Sequence, residues 1–527
     1  MSSIGLLELV IATLFAAITL QFLANRLSLP PAVALLAGGA ILAFVPGLPA
    51  ISLDPALVLA IFLPPLLMDG AWFIAINPLR QHMIGIGALA VGAVLFTTVV
   101  VAVVAHALVP SLPWAACAAL GAIVSPPDAV SARAVLHRVR LPRRLSILLE
   151  GESLLNDATG LVLFRFAIAA SVTGAFSTVA ALENFALLAL GGAAVGVAVG
   201  TAWVLLVRRL DDDYLMIAAS ALVCWPAYMI AESLHLSGVV ATVVNGLICG
   251  WYQHVLFPAS VRRRGTSFWT VMIFLMEALV FMLIGLSLRG VIERVGGFEV
   301  VIEEMALPIL LIILAMTAAR FVWIFGADLL IVMARALGLR RYAPLGPRGA
   351  MVLGWAGMRG VVTLAVALSV PEGFPGRDFI LVAAFVAILI TVLVQGTTLG
   401  AVIRWVRPGE VATDRPRLTM SQVESVIAQA ELMLVERRAY DPDGTLIHPL
   451  LLDHYRRKAA HLAEYADRVE DYGPTLHAHF NLILDAIAAG RIELLRLHRS
   501  GQIDEETLQE LERDLDLEEL SARSNLV

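Results

Sequence analysis

The chain has 527 residues, 59% hydrophobic and only 15% charged, with a mean hydropathy of +0.85, and these values exclude an ordinary soluble domain. The formal net charge of −6 is unevenly placed: residues 410–527 hold 23 acidic and 13 basic side chains, while residues 1–409 carry a small excess of bases. Three cysteines, Cys117, Cys224 and Cys249, all in apolar runs, give neither a disulfide framework nor metal-ligand spacing.

The first apolar run, from about residue 5 to 24, has no basic segment before it and no small-residue cleavage site after it, so it reads as a retained transmembrane helix. Further runs of roughly 20 residues follow at 32–47, 55–76, 83–108, 114–135, 145–170, 183–207, 214–232, 237–253, 267–288, 305–333, 349–370 and 378–403. Thirteen spans are thus predicted in an all-α polytopic membrane protein. Loops falling on one side carry 17 arginines, among them Arg138, Arg140, Arg143 and Arg144, against three on the other (Arg289, Arg294, Arg377). The positive-inside rule converts this asymmetry into an orientation, with the N-terminus outside and the C-terminus cytoplasmic.

Two spans contain helix breakers at mid-membrane. The fifth carries Ser125-Pro126-Pro127-Asp128, where two prolines remove backbone donors. The twelfth carries Gly354-Trp355-Ala356-Gly357-Met358-Arg359-Gly360, whose glycines tolerate unwinding. They lie seven spans apart, an odd offset that makes the two helices run in opposite directions. Two inverted repeats, each with one broken helix at a matching position, would produce this pattern.

Ionisable groups in hydrocarbon cost roughly 2.5 to 3.5 kcal/mol each even on the lenient insertion scale, so each is a candidate functional residue. They cluster here: Asp69 in the third span; Asp128 and Arg133 in the fifth; Glu150, Glu152, Asp157 and Arg165 in the sixth; Glu277 in the tenth; Arg320 in the eleventh; and Arg359 in the twelfth. Within GESLLNDATG, residues 151–160, Glu152 and Asn156 share one helical face while Ser153 and Asp157 form a second stripe about 100° away. Arg359 is the expected counter-charge for Glu152, an architectural pair. Asp157 is then the carboxylate without an adjacent cation, and desolvation favours its neutral form. Such a group holds a proton or a small cation, but hardly both. Arg133 and Arg165 are expected to snorkel, Glu277 and Arg320 to pair within the bundle, and Glu232, His235 and Ser237 to form a polar turn.

At these residues the sequence resembles the monovalent cation:proton antiporters, in particular the sodium/proton exchanger branch with an Asn-Asp pair in the sixth helix. The resemblance spans about residues 5–405 and is carried by LPPLLMDGAW (63–72), GAIVSPPDAVSA (121–132), GESLLNDATG (151–160) and WAGMRGVVTLA (355–365). It implies secondary exchange of Na⁺ (or Li⁺) for H⁺ by a non-enzymatic carrier without cofactors, a homodimer in the inner (plasma) membrane. It also implies that Asp157 is shared by cation and proton, that Asp128, Ser153 and Asp69 line the ion site, and that Glu152, Asn156 and Arg359 tie helices together. Pro126, Pro127, Gly357 and Gly360 would supply the broken-helix backbone, and a core domain would move against a dimerisation domain. Two departures stand out: Pro127 occupies a place where relatives commonly have threonine, and Asp69 one where Glu is frequent. Potassium/proton exchange fits the same scaffold. An ion channel needs no buried titratable carboxylate, and an intramembrane aspartyl protease would lack its Gly-x-Gly-Asp element and leave Arg359 unexplained.

Residues 410–527 read as a separate cytoplasmic helical domain, with a regulatory or dimer-stabilising role and no nucleic-acid, nucleotide or metal motif. Helices are expected at 418–440, 448–471, 475–499 and 504–522, broken at Asp441-Pro442-Asp443-Gly444 and at Gly473-Pro474. In the last one Leu508, Leu511, Leu515 and Leu520 lie on roughly one side.

Overall fold

The computed structural model describes residues 3–27, 29–45, 55–128, 141–173, 178–338, 343–409, 418–441, 443–467, 469–500 and 502–524. These form two compact units, Met1–Val411 and Ala412–Val527.

The first unit is all helix, as it must be where no water is present to satisfy backbone groups. Among its described residues the helices are α1 Ser3–Arg26, α2 Pro31–Leu42, α3 Pro55–Phe73, α4 Ile76–Leu108, α5 Trp114–Val124, α6 Arg143–Thr173, α7 Thr178–Val207, α8 Asp213–Ser233, α9 Gly238–Leu256, α10 Ala259–Val295, α11 Phe298–Ala336, α12 Gly346–Trp355, α13 Val361–Leu368 and α14 Arg377–Val406. Among the described residues eight of these are long and apolar enough to cross a membrane, and α2 and α5 are shorter apolar helices. Several predicted ends shift: the fourth span begins at Ile76, and the tenth extends over all of Ala259–Val295 because its polar ends continue the helix beyond the apolar stretch.

Contacts sort the helices into two bundles. In one, α9 packs on α7, α3 and α8, and α10 packs on α1, α2, α3 and α8. In the other, α5 packs on α4, α6 and α14, and α11 on α4 and α12. The bundles meet chiefly where α13 crosses α3 and α10 and where α14 meets α10. Small residues let backbones approach within the first bundle. A side chain on Gly192 would come within 2.6 Å of the Ser237 carbonyl, and one on Gly285 within 2.5 Å of the Leu36 carbonyl, so α7 lies directly on α9 and α10 directly on α2.

Both interrupted spans are interrupted in the structure. α5 ends at Val124, and Ser125–Asp128 are not helical. The continuation of that span, and Arg133 with it, falls on residues 129–140, outside the described residues. α12 ends at Trp355, five residues follow without helical structure, and α13 starts at Val361.

Arg165 pairs with Glu232 at 3.1 Å instead of snorkelling, because Glu232 is held at the α8–α9 turn by the Gly238 amide. That turn is polar as expected: Ser237 caps α9 by accepting from the Val240 amide, and His235 takes a positive φ of 57°.

Among its described residues the second unit holds four helices, α15 Met420–Arg438, α16 Pro449–Asp467, α17 Val469–Arg499 and α18 Glu505–Ser524. Thr419 and Gln422 form a capping box on α15, and Lys458–Glu431 and Arg456–Glu436 join α15 to α16. Arg491 on α17 pairs with Glu519 of α18 at 2.7 Å. Gly444 takes a φ of 81° and its amide donates to the Asp441 carbonyl at 2.8 Å, so the helical run is broken between α15 and α16, whereas the break expected at Gly473-Pro474 does not form, since α17 runs through it. Pro474 lies only in the second turn of a 31-residue helix, so its missing donor costs one bond among many. On α18, Leu508 is buried, but Leu511 and Leu520 are 43% and 52% exposed, so the leucine face is only partly covered.

Candidate functional site at the helix crossing

The two breaks face one another and exchange backbone partners. In an unbroken helix the Asp128 amide would donate to the Val124 carbonyl; here it donates to the Met358 carbonyl at 2.6 Å. The freed Val124 carbonyl accepts from Arg359 Nε at 2.7 Å, and Ser125 O accepts from Nη2 at 3.2 Å. Nη1 donates to the Gly357 carbonyl beyond the end of α12. A guanidinium with five donors in a fixed fork thus neutralises the carbonyl ends of two half-helices, where the helix dipoles are negative. It is 1% exposed.

Arg359 does not take the Glu152 carboxylate. Arg320 on α11 does, with Nη1 to Oε1 at 2.6 Å and Nη2 to Oε2 at 2.9 Å, and it also donates to the Leu353 carbonyl of α12. The expected Glu152–Arg359 pair is therefore corrected to Glu152–Arg320, because the orphaned carbonyls of the breaks consume every nitrogen of Arg359. Gly357 sits between the two arginines: a Cβ there would lie 2.7 Å from Arg320 Cδ and 3.1 Å from Arg359 Nη1.

Thr391 was not singled out by sequence. It begins a π turn in α14, Thr391–Gln395, and its hydroxyl accepts the Arg359 amide at 3.1 Å while donating to the Ala387 carbonyl at 2.7 Å. The only sequence signal was a threonine within an apolar run, which most often bonds back within its own helix.

α6 passes beside the breaks with its two stripes facing different partners. On one, Glu152 meets Arg320, and Asn156 Nδ2 donates to the Pro127 carbonyl at 2.6 Å. Gly160 on the same helix leaves the space into which the Pro126 ring fits. On the other, Ser153 and Asp157 line a cavity of about 40 Å³, enough for one or a few water-sized species. Asp128, Glu150, Leu154, Gly70 of α3 and Val361 of α13 share that wall. Asp157 is buried, and Asp128 sits against Gly360 at the start of α13, the positive end of a half-helix.

The structure therefore brings Asp157, Asp128 and Ser153 together, but Gly70 rather than Asp69 lines the cavity, with Asp69 half-buried beside it. Glu277 is half-buried on α10 and lies outside that lining. Two carboxylates in so small a space disfavour joint ionisation, and a proton or a cation relieves the repulsion equally. Carboxylate and hydroxyl oxygens are the donor set that a hard monovalent cation prefers.

The sequence matches the family described as sodium/hydrogen exchanger, transmembrane, over residues 10–405. It is 30% identical over 524 residues to an uncharacterized Na⁺/H⁺ exchanger of Mycobacterium tuberculosis, covering 98% of this chain and 96% of that one. It is also 30% identical over 495 residues to a sodium, potassium, lithium and rubidium/H⁺ antiporter of Bacillus pumilus, covering 90% and 72%. In fold it is similar to the sodium proton antiporter MjNhaP1 from Methanocaldococcus jannaschii, with a TM-score of 0.60 at 19% identity over 76% of this chain and 98% of that one.

Proposed function

The chain belongs to the transmembrane sodium/hydrogen exchanger family, and from that premise we propose that it exchanges Na⁺ (or Li⁺) for H⁺ by alternating access, cation and proton competing for Asp157. The family is one of transporters, and the protein is a multi-span membrane protein. The observation that carries the assignment of Asp157 is its place as a buried carboxylate on the wall of a small cavity shared with Asp128 and Ser153. Glu152, Asn156 and Arg359 hold the surrounding helices, Glu152 through Arg320 and Asn156 through Pro127.

Alternation is supported by the different characters of the two sides of α13. The wall at Val361 and Val362 faces the carboxylates, whereas Val361, Leu364, Ala365 and Leu368 meet Val58, Val280, Leu283 and Ile284 around an apolar crevice of about 10 Å³. Sliding of the α4–α6 and α11–α14 bundle against the other would open that apolar seam and close the polar one, while the breaks and Arg359 move as one body. The protein works as a homodimer in the inner membrane, N-terminus outside and residues 410–527 in the cytoplasm, where they regulate exchange or stabilise the dimer. The orientation rests on the arginine asymmetry of the loops.

A second reading, exchange of K⁺ or of a wider set of cations, is supported by the name of the Bacillus pumilus relative. One assay addresses both. Proteoliposomes with an imposed pH gradient are given Na⁺, Li⁺ or K⁺ separately, and dissipation is expected with Na⁺ and Li⁺ and absent in Asp157→Asn. Dissipation by K⁺ alone would move the substrate assignment, and an active Asp157→Asn would remove the residue from its role.

A further inference from the structure

One helix, α11, grips the half-helix α12 at both ends. At the far end Arg320 Nε and Nη2 donate to the Leu353 carbonyl, one of the orphaned acceptors at the α12 C-terminus. Eight residues along α11, the buried Asp328 holds the near end: Oδ1 accepts from the Leu345 amide at 2.5 Å and Oδ2 from the Gly346 amide at 3.1 Å. Leu345 is right-handed (φ −74°, ψ −29°) and Gly346 left-handed (φ 73°), the combination that turns two successive amides into an anion-binding nest. The carbonyls just before that nest, of Ala343 and Pro344, are held from the other side by Arg144 at the start of α6. Arg144 and Glu152 are eight residues apart on α6, as Arg320 and Asp328 are on α11. At 1.5 Å per residue this places the two ties about 12 Å apart on each helix.

We propose that Asp328 is a positioning residue for the exchange cycle: seated in the Leu345–Gly346 nest, it fixes α12 lengthwise and so fixes the break beyond the other end of α12. That break carries the Met358 carbonyl, to which the Asp128 amide donates, and Gly360, against which the Asp128 carboxylate rests. A helix of ten residues transmits an axial shift at one end to the other, because its backbone hydrogen bonds resist compression. Arg320 alone would leave α12 free to pivot about Leu353, and the second tie removes that freedom. The charge at the tie counts as well as its shape, since a carboxylate at a helix N-terminus meets the positive end of the dipole. Asp328 is not among the residues lining the ion cavity, so it acts on the cation through α12 and not by ligation.

The proposal rests on the exchange reading, and its test separates the two. Sodium-dependent exchange by the full chain in proteoliposomes is measured over a range of Na⁺ for the wild type, Asp328→Asn, Gly346→Ala and the double variant. Asp328→Asn removes the charge and one acceptor. Gly346→Ala leaves Asp328 in place and meets no neighbouring atom, but strains the left-handed residue that shapes the nest. Each is expected to raise the apparent KM for Na⁺ by about three- to tenfold, just under the cost of removing an outer-shell partner of an ion ligand. The double variant should match the more affected single one, because both act on the same contact. A tie that is only structural would lower the maximal rate through fewer folded carriers and leave KM unchanged. That result overturns the proposal, as do KM effects that multiply in the double variant. If Asp328→Asn is not recovered folded, Gly346→Ala decides alone, an unchanged KM overturning the proposal and a raised one supporting it. Absence of exchange in the wild type would instead overturn the exchange reading, and the proposal with it.

Discussion

Both oxygens of Glu152 are bound by both terminal nitrogens of Arg320, at 2.6 and 2.9 Å, with the two side chains only 1% and 3% exposed. A buried pair of this kind gains little net stability over apolar residues, yet breaking it strands a charge. Arg320→Ala should therefore lower stability by about 3 to 5 kcal/mol, and Glu152→Leu with Arg320→Met should recover most of that loss. Thermal unfolding in detergent measures both. A stable single variant would show that the pair is not architectural.

The breaks and the charged residues gathered around them were legible in the sequence, because apolar spans make each intramembrane charge conspicuous and the Pro-Pro and Gly-rich interruptions mark the breaks. The stripe of Ser153 and Asp157 followed from helical spacing alone. What the sequence could not choose was the partner of Glu152, since Arg320 and Arg359 are both arginines within apolar spans. The choice depends on a backbone event: the Asp128 amide leaves Val124 for Met358, and the orphaned carbonyl claims Arg359. Thr391 was hidden for a similar reason, as the amide it accepts is free only because Arg359 lies outside a helix. The tail shows the opposite failure, in which a local breaker at Gly473-Pro474 is overridden by the helix around it.

Gly360 sets the position of Asp128. Its backbone lies at φ −148° and ψ −143°, and a methyl group there would occupy the space of the Asp128 carboxylate. Gly360→Ala should push Asp128 out of the cavity and weaken cation affinity by about tenfold, corresponding to about 1.4 kcal/mol. The apparent KM for Na⁺ reads the effect. An unchanged KM would mean that Asp128 is not part of the ion site.

Thr391 positions the crossing through its hydroxyl, which accepts from the Arg359 amide and donates to Ala387. Thr391→Ser retains both bonds and should exchange nearly as the wild type does. Thr391→Val keeps the shape but leaves a buried amide unsatisfied, at a cost of about 1 to 3 kcal/mol. If the role is positioning, Thr391→Val should also shift the pH profile of exchange, which loss of stability alone would not do. Equal profiles for the two variants would reduce Thr391 to packing.

Exchange should be electroneutral, one cation for one proton. Asn156, adjacent to Asp157, cannot titrate, and its amide is committed to the Pro127 carbonyl. Glu152 and Arg320 neutralise one another, and Arg359 is held by three carbonyls, so none of them is available to change charge during a cycle. If Asp157 alone changes occupant, the loaded site carries the same charge with Na⁺ as with H⁺, and a membrane potential has no thermodynamic leverage. The contrast is measurable, because 100 mV is worth about 2.3 kcal/mol for each net charge moved. Proteoliposomes at matched pH and matched Na⁺ on both sides, given a potassium-diffusion potential, should therefore accumulate no Na⁺ beyond the protein-free control. Uptake driven by the potential would show net charge movement and bring Asp128, the second carboxylate deep in that cavity, into the cycle as a titrating group. Asp128→Asn in the same vesicles would then be expected to abolish the potential-driven component.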